Sequence, residues 1–578
     1  MEKLRKNVLL FVVILVSVNC YSQRRVETID EHTKQNIAQA LWMKEYKTDS
    51  IPYEILEKIE SIKNSNRSFG KRFLEHLKQL ESNKLSYVAS RDNRYNAIIQ
   101  SLNLLSPQQN YANVMLLGPE SVSGYNTISD NPKFNFPEID APQFDYQVGW
   151  HFFVGNFTDD ENNHYSVQLM FWQYALLPPP LAKEMSLNTV ENQILELHLA
   201  ISDPQKGIHY RANTVVVAGT TGLITFKQKP FTFKLGKNSI QSLDNSANIF
   251  PVRLKACGWD MGKTPNSRIE IDLSLENKKG YFMEGDGGCS PSIDGLGTLY
   301  YSASDLKLIK EQENVISING KRLKLIDGSM WYDHQWATGF MPNGAPGHSV
   351  MRAAQNLTKP SPGGWDWFMF QFRNNPKISS DGETQLTISA LHTLDNIPFY
   401  GQTGPVPPGK MEARFKGKYI NASNKTVDVG GKMFVDEWVK SATSPNPDLY
   451  AVTNTWYPAK FKFSIDGNIP DAIKHLTATP IIKSGQFGFF SNGLEYNEGG
   501  AVVCDSLGNE LGRGFAESTN YANCNETVLK LAGLPVNKET LSYLTPPKVS
   551  VFLKLKSYIH VLLNKKELQE IMGKARGY

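Results

Sequence analysis

Long hydrophobic runs are almost absent from the 578-residue chain. A helix that spans a bilayer needs about 20 consecutive apolar residues, and no stretch beyond the first turns of the chain supplies them. The one early run, Val8–Val18, is too short to span a bilayer and follows Lys3, Arg5 and Lys6. A basic n-region ahead of a short apolar h-region is the pattern of an export signal. Cys20-Tyr21-Ser22 then offers a cleavage site before Gln23. Residues 1–22 therefore read as a signal peptide, and the protein is expected in the periplasm, cell envelope or medium. A lipoprotein cut before Cys20 is disfavoured by Asn19, a poor small residue in the preceding place.

Cysteine is also scarce. Five occur, and removal of the leader leaves Cys257, Cys289, Cys504 and Cys524. Their spacing matches no metal knuckle, so no metal is expected. An even number in an exported chain permits two disulfides, one within each half, although four cysteines allow three pairings. Charge is sparse too: the formal net charge is +4, and no dense Lys/Arg stripe with interleaved aromatics appears. That pattern excludes a nucleic-acid partner. Nucleophile elbow, P-loop, dinucleotide fingerprint and HExxH are all missing, so the leading enzyme reading needs no cofactor.

Aromatic residues are plentiful, with 24 Tyr and 29 Phe, which fits a β-rich architecture. The chain nonetheless opens with a helical texture. Ile55, Ile59 and Ile62, then Phe73, Leu77 and Leu80, recur at helical spacing, so 24–110 reads as a small α-helical module. Loop-rich composition follows to about Pro142. Short alternating runs separated by Gly, Pro, Asn and Asp then continue to about Leu531. That length exceeds one small barrel, so two consecutive antiparallel β domains are expected, 137–340 and 341–535, hinged near Ala337–Pro346. The tail, 536–578, is expected to be helical around Val549–Leu563.

The densest chemistry lies in Gly328–Trp336. Two alternating runs joined by Asn319-Gly320 precede it, and that dipeptide supplies the positive φ angles of a tight hairpin turn. Trp331, Tyr332, Asp333, His334 and Trp336 follow, an ionisable pair among rings that would shift its pKa. Other unusual stretches carry Trp150 and His151, His198 and Asp203, Asp286 among glycines, Trp365-Asp366-Trp367, and Glu498 with Glu517. Asp286 suits a turn, and His151 and His198 suit structural roles on strands. Glu498 and Glu517 are stranger, because an inward strand acid must be paired or neutral.

Taken in order, these pieces resemble the CrtC/AttH-like family of carotenoid 1,2-hydratases and AttH-type secreted proteins. The resemblance rests on Trp150–Gly155, Leu197–Asp203, Gly285–Gly288, Tyr300-Tyr301-Ser302, Trp331–Trp336, Gly363–Trp367, Trp456-Tyr457-Pro458, Tyr496–Gly499 and Gly512–Tyr521. It spans roughly Pro137–Leu531 and leaves out the helical module and the tail. It implies a mainly β, tandem lipocalin-like fold with an apolar ligand pocket in or between the domains. It also implies water addition to, or cyclisation of, a polyene. The hydratase's His-x-Trp falls on His334 and Trp336. Its Tyr-x-Asp has no counterpart, and Trp365-Asp366-Trp367 occupies that region.

The expected function is an exported, cofactor-free hydratase or hydrolase acting on an apolar, isoprenoid or polyene substrate. Asp333 would be the acid, with Asp366 as the alternate, and His334 would activate water. Trp331, Tyr332, Trp336, Trp365, Trp367, Trp150, His151, Asp286, Glu498 and Glu517 would line the pocket. One shared cleft would bring His334 within about 15 Å of Glu498 or Glu517, the reach of a single ligand. The alternative is a carrier that holds an apolar ligand without turnover, and a weaker one is a scaffold at the cell envelope.

Overall fold

The computed structural model describes the chain chiefly between Ile128 and Ala522 and from Ser550 to Gln569, with breaks that include 339–349 and 394–405. The expected signal peptide and the module at 24–110 lie outside the described residues. Within them the chain is mainly β, in the antiparallel, lipocalin-like arrangement expected. No helix among the described residues is long and apolar enough to cross a membrane.

Strands between Val148 and Ala337 build one sheet. Its central run pairs Gln193–Asp203 with His164–Ala175, then Val148–Asp159, Lys321–Ala337 and Leu296–Leu308. The sheet curls until Gly258, on Val252–Trp259, lies against Ala212 of the far edge strand, where an added Cβ would come within 2.5 Å. Its concave face encloses an apolar core that includes Phe153, Leu169, Leu199, Phe233, Leu273 and Tyr332. The Asn319-Gly320 turn forms as expected, with φ of 55° and 82°, and links Val315–Ile318 to Lys321–Ala337.

One irregularity decides the chemistry of that long strand. Leu323 and Leu325 point into the core. The pairing then slips: Thr158 faces Asp327 but Asp159 faces Leu325, which leaves Ile326 as an extra, exposed residue. Such a bulge reverses the alternation beyond it. Met330, Tyr332 and Trp336 therefore point inward, and Trp331 and Asp333 point outward. Gly328 sits just past the bulge at φ 142°, with Phe157 Cδ1 only 2.3 Å from where a Cβ would be. No other residue fits there.

Strands between Gly363 and Thr519 build the second body. Eight of them, beginning with Gly363–Phe372 and ending with Glu510–Thr519, pair in a ring, closed by Gly363–Phe372 against Glu510–Thr519 and by His475–Pro480 against Leu494–Asp505. A closed ring leaves none of these eight strands with a free edge. Phe368, Phe370, Phe415, Phe461 and Phe463 fill its interior.

The convex side of the sheet packs on the outer wall of the barrel. Asn156 Nδ2 donates to Gly514 O (3.2 Å), and Gln371 Nε2 donates to Ser304 O (3.2 Å). Phe152 and Trp331 both meet Trp367 edge-on, at 5.6 and 6.2 Å between ring centres. Gly500 permits the closest approach, since a Cβ there would lie 1.9 Å from Ser166 Oγ. Gly500→Ala is expected to destabilise the protein by roughly 1–3 kcal/mol through overpacking. A melting curve checks this, and an unchanged midpoint would show that the seam can open without cost.

Cys257, Cys289 and Cys504 stand as thiols, so none of the pairings the sequence permits joins two of these three. Cys257 and Cys289 are buried on strands of the same sheet, and Cys504 is on the barrel. Cys524 lies outside the described residues.

Candidate functional site: a carboxyl cluster between sheet and barrel

Consecutive strand residues point to opposite faces, and this separates the expected catalytic pair. Asp333 faces the barrel, whereas His334 faces the core of its own sheet. His334 stacks on His151 (ring centres 4.0 Å apart) and its Nδ1 lies 3.2 Å from Tyr301 OH. The two residues share no site, and this corrects the expectation of an Asp333–His334 acid–water pair. Trp336 and Tyr332 go with His334: Trp336 lies 4.7 Å from its ring, and Tyr332 OH lies 2.8 Å from His151 Nδ1. Behind them Tyr301 donates to Asp140 Oδ1 at 2.5 Å. Burial lowers the His151 pKa to about 3, lowers that of His334 well below its ordinary value, and raises that of Asp140 to about 6. Burial thus favours neutral imidazoles here, and the cluster reads as a hydrogen-bonded core.

Asp366 is displaced in the same way. It points into the barrel, where Tyr521 OH donates to both its oxygens (3.0 and 2.9 Å) and Ser518 Oγ to one (2.8 Å). It therefore does not face Asp333. Asp286 sits exposed at a turn held by Gly285, Gly287 and Gly288 at positive φ, which removes it from any pocket.

What the seam does collect is acid. From the sheet come Asp333 and Glu284; from the barrel come Glu498 and Glu517, which are cross-strand partners. Asp333 accepts from Tyr300 OH (2.6 Å), Ser302 Oγ (2.5 Å) and Trp331 Nε1 (2.5 Å). Even so, burial raises its pKa to about 7. Glu284, two residues before the candidate Asp286, is buried with Thr387 and Lys418 of the barrel beside it. Burial and then the nearness of Asp333 raise its pKa to about 8. Glu517 is partly exposed and accepts from the Trp365 indole; burial, with Asp333 nearby, raises its pKa to about 8.

Glu498 is the most unusual of the four. It is 1% exposed, and neither carboxyl oxygen has a hydrogen-bond partner. Burial, Glu517 and Asp333 together push its pKa well above the carboxylate range. A buried carboxyl without donors is tolerable only when it keeps its proton. Trp367 stands directly across from Glu517 on the neighbouring strand, so a ring floors the acid pair. Trp150 extends the aromatic side of the seam through Trp172, 5.7 Å away. Trp365 and Glu517 are the members nearest solvent.

A second polar group continues the seam. His198 lies with its ring parallel to Phe489 (4.3 Å), its Nδ1 meets Tyr496 OH, and its Nε2 lies 3.0 Å from Glu196. Of the residues expected to line a shared cleft, Asp333, Trp331, Trp365, Trp367, Trp150, Glu498 and Glu517 lie along the seam where sheet meets barrel, and His334 does not. Among the described residues no group of three or more His, Cys, Asp or Glu has the arrangement of a metal site.

Asp333→Asn is expected to cost roughly 1–3 kcal/mol, because an amide nitrogen must face one of three donors now satisfied by the carboxyl. A melting curve tests this. A midpoint equal to that of the wild type would mean that the three donors do not hold Asp333.

The geometry defines a class: a β protein in which a curled sheet and a closed barrel enclose a buried acid cluster. Residues 127–380 match the AttH-like family model. That stretch takes in the whole sheet and the first barrel strand, and it is the part of the chain that is similar to this family. Among solved structures, it is similar to a protein described as AttH from Nitrosomonas europaea (15% identity, TM-score 0.45, covering 69% of this chain and 100% of the other). It is similar also to kievitone hydratase from Nectria haematococca (14% identity, TM-score 0.40, covering 69% and 97%). A search of curated proteins finds no match.

Proposed function

We propose that the protein is an exported, cofactor-independent enzyme of the hydratase type, which adds water to an apolar, isoprenoid or polyene substrate held between sheet and barrel. The observation that carries this reading is Glu498, a buried carboxyl with no partner for either oxygen, opposite Glu517. Two interacting acids whose pKa values are pushed apart hold a single proton between them at a pH lying between the two, here above about 8, where Glu517 has released its proton and Glu498 keeps its own.

In the forward direction the Glu498 carboxyl gives its proton to one alkene carbon. The cation on the other carbon is stabilised by the Trp365 and Trp367 rings, worth roughly 0.5–2 kcal/mol each. Water adds to that carbon and loses a proton to the Glu517 carboxylate, and passage of that proton to Glu498 restores the starting state. Burial first, and then the nearness of Asp333, which its three donors fix in place, holds the two glutamates above their ordinary pKa values. The reverse sequence is a dehydration.

The test is incubation of the purified protein with a polyene and isoprenoid panel, followed by mass spectrometry of the organic extract. Products heavier by one water are expected. Recovery of only unaltered lipid would make the protein a carrier.

A further inference from the structure

The helix Val551–Leu563 carries its apolar residues on the side opposite its buried Ser557. Ser550 caps its start by accepting from Leu553 N (3.2 Å). Ser557 is its buried residue, with His560 and Val561 half-covered beside it. The opposite side presents Val551, Phe552, Leu555, Ile559, Leu562 and Leu563, each at least 50% exposed. At 100° per residue these six, with Tyr558, form an unbroken apolar arc of roughly 140°. Lys554 lies at one edge of the arc and Lys556 at the other. From Ser550 to Lys566 there is no acidic residue.

We propose that this helix lies in the plane of an anionic bilayer surface, its arc in the acyl boundary and its lysines at the phosphates. A helix with an apolar face rimmed by long cationic side chains suits that position, because the methylene stems of lysine stay in apolar surroundings while the ammonium reaches the headgroups. A second copy of the helix fits less well, since it would set lysine rim against lysine rim with no acid to pair them. The helix is too short and too basic to cross the bilayer. This inference is independent of the catalytic reading.

The experiment uses the full chain and sucrose-loaded vesicles of phosphatidylcholine, with and without about one third phosphatidylglycerol. The wild type is expected to sediment with the anionic vesicles and to be released as salt rises. Leu555→Glu with Leu562→Glu should weaken binding by more than about tenfold and leave the melting curve unchanged. Lys554→Ala with Lys556→Ala should abolish the preference for anionic vesicles. Equal binding by wild type and the Glu variant would overturn the proposal. So would a wild-type dimer that the Glu variant converts to a monomer, which would assign the face to a second copy. A lowered melting point in the Glu variant would assign it to another segment of this chain.

Discussion

Glu498→Gln should leave the protein folded and lower turnover by roughly two to four orders of magnitude, the usual contribution of a general acid. The substitution keeps size and shape and removes the ionisable proton. Because neither Glu498 oxygen accepts a hydrogen bond, no donor is stranded by the change. The new amide can donate to Glu517, its cross-strand partner. Stability at pH 8 should stay level or rise, since one buried acid that resists ionisation has gone. His334→Gln should behave in the opposite way. It disturbs the contacts with His151 and Tyr301 and should lower the melting point while sparing conversion. A conversion assay and a melting curve on both variants decide the matter. Full activity in Glu498→Gln would remove the acid from the mechanism.

The second large effect is on stability against pH. Burial raises the pKa of Glu284 to about 8, of Asp333 to about 7 and of Asp140 to about 6. It raises Glu517 to about 8 and Glu495, inside the barrel, to about 7. In the unfolded chain these acids release their protons near pH 4. The folded state therefore binds more protons between about pH 4 and 8. The stability linked to them is complete below the unfolded values and is lost as pH rises through 6–8. Buried His151 and His209 work the other way, with pKa values lowered by burial to about 3 and 4. Their contribution is present above about pH 6.5 and falls away below it. The window in which the acids act unopposed is pH 6.5–8. Acidification from pH 8 to 6.5 should raise stability by roughly 2–4 kcal/mol, which is several degrees in the melting point. Glu498→Gln and Glu517→Gln should each flatten that slope. A melting point that falls over this window would mean that the seam acids are ionised in the folded state.

Much of the fold could be read from the residues. The Asn319-Gly320 turn, the alternating strands and the ordered aromatic motifs pointed to an antiparallel lipocalin-like chain. The faces of the key strand could not be read. Alternation counted from Leu323 and Leu325 places Asp333 inward, and only the bulge at Ile326 reverses it. A bulge is set by tertiary pairing, and its one local sign was Gly328, which reads equally as a turn residue. The Asp333–His334 pair was inferred from adjacency, but adjacency on a strand means opposite faces. Glu498 and Glu517 were noted as strand acids that needed partners or protons, and that physical oddity located the seam. Glu284 was passed over for Asp286 because a glycine-flanked acid draws the eye, although only the residue before the turn remains on the seam. Tyr300 and Ser302 belonged to a recognised motif, but their bonds to Asp333 depend on strand pairing across 31 and 33 positions of sequence.

The most direct measurement is a crystal structure of the protein with a bound polyene or its hydrated product. The ligand is predicted between sheet and barrel, against Trp365 and Trp367, with its reacting carbon within about 3–3.5 Å of the Glu498 carboxyl. A ligand found among His151, Tyr301 and His334 inside the curled sheet, or beside Asp366 inside the barrel, would contradict the account.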